Sequence, residues 1–174
     1  MSEPTLFQAF PVLAALPENE RSLLMQSVQP VKLSKGTVLF KPGDACRAYL
    51  LVAQGSVQIR LIDDGGHSIT LYRVEDGESC VLTTSCLLAS SAYAAEGVVE
   101  KDTTGFTLNP VHFAHLLDTS VGFRRFVFAA FGGRLTEMMT LVNEVAFHRL
   151  DQRLAEWLTR PSEDPISATH QQIA

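Results

Sequence analysis

Between residues 31 and 108 the chain is written in short apolar runs cut by glycine, and this texture restricts the fold more than any other feature. The cuts fall at Lys35-Gly36, Pro42-Gly43-Asp44, Gly55, Gly65-Gly66 and Asp76-Gly77. Glycine lets a chain turn sharply without steric penalty. Apolar and polar residues alternate over residues 56–62 and again over 68–74, the two-residue period of a half-buried strand. Asp63-Asp64-Gly65-Gly66-His67 lies between these runs and predicts a hairpin connection. Many short strands at near-regular spacing predict a sandwich or roll that closes on itself.

Helical signals flank this stretch. Leu16-Pro17-Glu18-Asn19-Glu20 offers a proline for a first turn and acids near the positive helix end. Leu23, Leu24 and Val28 give that helix an apolar face, and Pro30 is expected to end it. Asn109-Pro110 is an N-cap and first-turn pair, followed by Phe113, Leu116 and Leu117 at helical spacing. Asp118-Thr119-Ser120 then offers a fresh cap.

Beyond it, Phe128, Leu135 and Val142 recur every seven residues, as do Phe131, Met138 and Val145. Together they make alternating steps of three and four, the seam of a helix that pairs with another helix. Arg125, Arg134, Glu137 and Glu144 lie off the seam. The same spacing also suits a helix packed on its own sheet, and Gly132-Gly133 lowers helix propensity unless a close helix–helix approach requires small residues there. Phe147, Leu150, Leu154 and Leu158 mark a further amphipathic helix, and Thr169-His170-Gln171-Gln172 fits a capping box. So few residues follow that box that a further helical domain is expected beyond residue 174. The fold class is α+β: an antiparallel, jelly-roll-like β roll with flanking short helices and a long dimerisation helix. The expected divisions are residues 1–118, 119–145 and 146–174.

Hydrophobic residues make up 46% of the chain, enough for a packed core. The net charge of −5 argues against this segment gripping nucleic acid by itself. No apolar run is long enough to span a bilayer, and the N-terminus lacks a basic region with an apolar core, so a cytoplasmic protein is expected. Cys46, Cys80 and Cys86 form no CxxC pair and no disulfide framework.

The order of elements, with particular residues, resembles the Crp/Fnr family of transcription regulators. The signatures are residues 33–40 (LSKGTVLF), Pro42-Gly43-Asp44, Tyr49-Leu50-Leu51-Val52, Gly55-Ser56-Val57, Gly77-Glu78, Ala146-Phe147 and Arg153-Leu154-Ala155. Their order covers nearly the whole chain. The resemblance implies a cyclic-nucleotide-binding-like sensor roll, a homodimer zipped along the seam, and the start of a winged helix-turn-helix over 146–174. DNA would be held only through a C-terminal domain that this segment lacks, and RNA polymerase contact is open to the full-length protein. In the family a signal in the roll changes how the paired helices meet, which reorients the DNA-reading modules.

Members of that family that bind cyclic nucleotides use a Gly-Glu pair for the ribose hydroxyl and an Arg-Ser/Thr pair for the phosphate. Val81-Leu82 falls where Gly-Glu would stand, and Tyr93 or a neighbour replaces the arginine. A cyclic phosphate needs a cation or several amide donors to offset its desolvation, and no Lys or Arg lies between Arg73 and Lys101. Cyclic AMP is therefore disfavoured. An iron–sulfur cluster is disfavoured as well, because three cysteines cannot supply four ligands.

What stands at the cassette position is Cys80-Val81-Leu82-Thr83-Thr84-Ser85-Cys86. Two thiols bracketing hydroxyls suggest a sensor of oxidants, reactive sulfur or nitrogen oxides, with Thr83, Thr84 and Ser85 as donors that lower a thiol pKa. The alternative is that both cysteines are small buried packing residues, since no cation adjoins either. Tyr93 and Met139 complete the candidate sensing set. Haem remains open on His67, His112, His115 or His148, with His67 expected at an exposed hairpin tip. A cupin-like metal enzyme would need more than the single roll histidine, so a non-enzymatic protein is expected.

Overall fold

The computed structural model describes residues 5–63 and 65–143. The first helices are α1 (Leu6–Ala9), α2 (Pro11–Ala14) and α3 (Glu18–Ser27). The strands β1 (Val28–Leu33), β2 (Val38–Phe40), β3 (Tyr49–Ile62), β4 (Ser68–Val74) and β5 (Glu78–Ser79) follow. Helix α4 (Val81–Ala89), strand β6 (Glu96–Leu108), and helices α5 (Pro110–Thr119) and α6 (Val121–Asn143) complete the described chain. Every strand pair is antiparallel. The sheet runs β1-β6-β3-β4, with β2 added to β6 and β5 to β3. It is a roll and not a closed barrel. Two compact units divide the chain, residues 1–131 and 132–174.

The apolar run that opens β3 is continuous because both faces of the strand are covered. Tyr49 and Leu51 point into a cluster with Leu24, Leu108, Phe113, Leu116, Phe123 and Val127, beneath the helices. Leu50 and Val52 point the other way, into the roll, with Phe40, Val57, Ile59, Val74, Tyr93 and Val99. Further along the strand the pattern loosens, and the β3–β4 connection at Asp63–His67 is the hairpin the sequence predicts. The corner glycines Gly36, Gly43, Gly66 and Gly77 all take positive φ.

Gly105 answers to a different constraint. A Cβ there would lie 2.2 Å from the Leu51 carbonyl oxygen, between the two longest strands. Gly105→Ala must push β6 from β3, and overpacking of this kind costs about 1–3 kcal/mol or more. A lowered thermal midpoint with an unchanged far-ultraviolet spectrum is the expected result.

Pro30 does not end a helix. Helix α3 stops at Ser27, and Pro30 sits inside β1, opposite Phe106 of β6. Strand β1 is an edge strand, where a missing N–H disrupts no ladder. Upstream, α1 and α2 are helices too short to carry a periodic signal; Leu6, Phe10 and Leu13 anchor them in the lower cluster.

Asn109 caps α5 as expected, its side chain accepting the His112 amide at 2.8 Å. Ser120 caps α6, accepting the Phe123 amide at 3.0 Å while its hydroxyl donates to Glu20. Helix α6 spans most of the expected seam. Phe128, Leu135 and Val142 are 53%, 51% and 67% exposed, while Phe131 and Met138 are half-buried. A Cβ at Gly132 or Gly133 would meet nothing within 4 Å. Val145, the helix expected over 146–158 and the capping box at 169–172 lie outside the described residues.

Candidate functional site

The segment that carries the bracketed hydroxyls folds as α4, with Cys80 at its N-cap. Thr83 and Thr84 are both buried, and both hydroxyls donate to the Cys80 carbonyl, at 2.6 and 3.2 Å. This back-bonding secures the first turn. The Tyr72 hydroxyl adds to it by accepting the Leu82 amide at 2.9 Å. Ser85 faces outward and is exposed.

Cys80 and Cys86 are both buried within the roll's interior cluster. Burial pushes the Cys80 thiol above its ordinary value, and the amide and hydroxyl of Thr83 pull against this without offsetting it. Burial also raises Cys86, and the nearby Cys46 raises it further. The Cys86 thiol donates to the Ala92 carbonyl at 3.6 Å.

Cys46 joins this group from the β2–β3 connection, and the sequence did not reveal it. Its sulfur lies 3.1 Å from the Tyr93 hydroxyl and 3.7 Å from the Thr83 carbonyl. A short ladder holds it there. Gly43 donates to the Tyr93 carbonyl at 2.9 Å, the Tyr93 amide donates to Asp44 at 3.0 Å, and Ala45 bridges Ala92. Tyr93 stacks on Phe40 with ring centroids 3.9 Å apart and planes 8° from parallel. Gly97 makes room for that stack, since a Cβ there would sit 2.4 Å from the Phe40 ring. Burial and the neighbouring thiols hold the Tyr93 phenol well above its usual range, so it remains protonated.

Of the three free cysteines, Cys46 alone is not buried. At neutral pH a maleimide should modify Cys46 at least about tenfold faster than Cys80, which needs unfolding or alkaline pH to react. Peptide mapping after timed labelling checks the order.

Two hollows flank this group. One, of about 390 Å³, is lined by Leu33, Leu39, Phe40, Leu50, Thr83 and Tyr93, with Asp44 and Arg47 also on its wall. Arg47 is exposed and is the cation that a search of the 73–101 stretch misses, because it comes from the β2–β3 connection. Asp44 on the same wall opposes it in sign. The second hollow, of about 370 Å³, is lined by Cys46, Cys86, Leu87, Ser90, Ser91 and Ala92 among others, none of them charged.

Other sequence candidates stand apart. Met139 is 66% exposed on α6. His67 is exposed at the hairpin tip beside Asp63. His112 faces the Ser27 carbonyl at 3.3 Å. His148 lies outside the described residues. Among the described residues no three His, Cys, Asp or Glu side chains gather as a metal site, and no helix is long and apolar enough to cross a membrane.

Residues 30–120 match the family model of the cyclic nucleotide-binding domain. No curated protein sequence matches the chain significantly. Among solved structures, a protein assigned to the Crp/Fnr regulators from Eubacterium rectale superposes with a TM-score of 0.70 at 25% identity, covering 86% of this chain and 69% of its own. The catabolite activator protein of Thermus thermophilus gives 0.66 at 25% identity, covering 83% and 67%. A CooA mutant from Carboxydothermus hydrogenoformans, at 22% identity, shares the fold with a TM-score of 0.64 over 91% of this chain and 100% of its own. The chain belongs to the cyclic nucleotide-binding domain family, in the form found in the Crp/Fnr transcription regulators.

Proposed function

We propose that this chain is the sensing half of a homodimeric, cytoplasmic transcription regulator, and that it reads a signal other than cyclic AMP through thiols packed against α4. The stripe of Phe128, Leu135 and Val142 carries the dimer reading, because about half or more of each side chain is exposed on the isolated protomer. Phe131 and Met138 extend the stripe, and Val145 continues its spacing. The open space beside Gly132 and Gly133 leaves room for a close helix. Single exposed apolar residues are ordinary, but a contiguous stripe at heptad spacing is an interaction surface. DNA contact falls to a further C-terminal domain, since the net charge of −5 argues against this segment gripping nucleic acid by itself. The fold relatives are regulators, which favours a non-enzymatic role here.

The signal follows from the hollows. Helix α4 supplies no cation, the larger hollow is mostly apolar, and its one arginine shares the wall with a carboxylate. A cyclic phosphate would be poorly compensated there. Calorimetric titration with cyclic AMP should give no saturable heat at micromolar nucleotide, and micromolar binding would overturn this part of the proposal. Haem stays the second reading only through the visible spectrum: a Soret band on protein purified without oxygen would favour it over thiols.

A further inference from the structure

The sequence directs attention to Cys80 and Cys86, which bracket α4. The fold directs it elsewhere. Cys46 and Cys86 line one hollow together, whereas Cys80 is fully buried and does not line it. Cys46 rests on the Thr83 carbonyl, one helical turn before Cys86 on α4. The carbonyl that accepts the Cys86 thiol belongs to Ala92, and Ala92 bridges Ala45, the residue before Cys46. The two thiols thus hang from one short ladder, and Cys46 lies close enough to add to the burial that pushes the Cys86 thiol up.

We propose that Cys46 and Cys86 form a two-thiol oxidation site, in which Cys46 meets a small neutral hydroperoxide and Cys86 resolves the product to a disulfide. The uncharged lining of the hollow favours hydrogen peroxide over an anionic polysulfide. The Cys46 thiolate attacks one peroxide oxygen, forming an S–O bond and breaking O–O. The departing hydroxide takes a proton and leaves as water. The Cys86 thiolate then attacks the sulfenic sulfur, forming S–S and breaking S–O, and the hydroxide released takes up the proton that the Cys86 thiol gave up and leaves as a second water. Two thiols lose two electrons and two protons, and one peroxide becomes two waters. Burial makes Cys86 a poor first attacker, but tethering beside Cys46 compensates once the sulfenic acid exists. The Tyr93 hydroxyl, 3.1 Å from Cys46, is a positioning residue that steadies the attacking thiolate and the departing oxygen.

Oxidation would remove the Cys86 bond to Ala92 and draw α4 toward the Cys46 connection. Leu87, the next residue of α4, packs on the lower cluster that holds Phe123 and Val127 of α6. The chemistry stands on the geometry alone; its meaning as a signal rests on the thiol-sensing function proposed above.

The test is hydrogen peroxide on the whole chain, followed by thiol counting and peptide mass spectrometry. Three free thiols should fall to one, with the Cys46 peptide joined to the peptide that carries both Cys80 and Cys86, which no Lys or Arg separates. Cys80→Ser should keep the link. Cys86→Ser should abolish it and leave Cys46 as a trappable sulfenic acid. Tyr93→Phe, which retains the stacked ring, should slow linkage roughly tenfold. A Cys80–Cys86 link, or three free thiols after free cysteine has been consumed, would overturn the site. Linkage by polysulfide but not by peroxide would overturn the choice of oxidant. A Cys46–Cys86 link that leaves sedimentation unchanged upholds the site and counts instead against the sensing function.

Discussion

Replacing Leu135 with glutamate should turn a dimer into monomers without unfolding the roll. Leu135 is 51% exposed on the single protomer, so the substitution disturbs little inside it. Across a two-fold interface the same change is made twice. Each leucine side chain is worth about 1.5–3 kcal/mol when buried, and a carboxylate left in an apolar seam adds to the loss. The dissociation constant should rise at least about a hundredfold. Sedimentation velocity over a concentration series reads it, with Arg125→Glu, off the seam, as the control that stays dimeric. Circular dichroism should show the same fold in all three proteins. A wild-type chain that sediments as a monomer at high concentration would remove the mechanical basis of the regulator.

Phe123→Ala should be the most damaging single truncation in the lower cluster. The ring is fully buried and meets Tyr49, Phe113 and Phe126 at centroid distances of 6.1, 6.0 and 6.3 Å. Removing a core phenylalanine costs about 3–5 kcal/mol, lost burial and the cavity together. For a chain of this size that is a fall of roughly 10 °C in the thermal midpoint. Thermal denaturation of the isolated chain reads it. A loss as small as a surface substitution gives would mean that the helical floor of the roll is not packed as described.

The roll was legible because its signals are local: glycines at corners, alternation in β3 and β4, and an Asn-Pro cap before α5. Pro30 misled because a proline's meaning depends on whether its strand has a neighbour on the N–H side, which is a tertiary fact. The site was half legible. Thr83, Thr84, Cys80 and Cys86 stand out in the sequence because they fall within one short stretch. Both threonine hydroxyls turn to the Cys80 carbonyl, and Thr83 also pulls the Cys80 thiol down, against a burial that only the fold reveals. Cys46 and Arg47 come from 37 and 36 residues before Thr83, and the short ladder of Gly43, Asp44 and Ala45 with Ala92 and Tyr93 sets them beside α4. Tyr93 was singled out as a substitute for an arginine; the structure gives it a stacking partner and a thiol instead.

Where strand β3 opens, Tyr49 and Leu51 face one interior and Leu50 and Val52 the other. It is a party wall. A slip of one residue would exchange the furnishings of both rooms at once, so the strand has a single tolerable register. Whatever displaces the wall from the roll's side must be felt among the helices, with no dedicated relay in between.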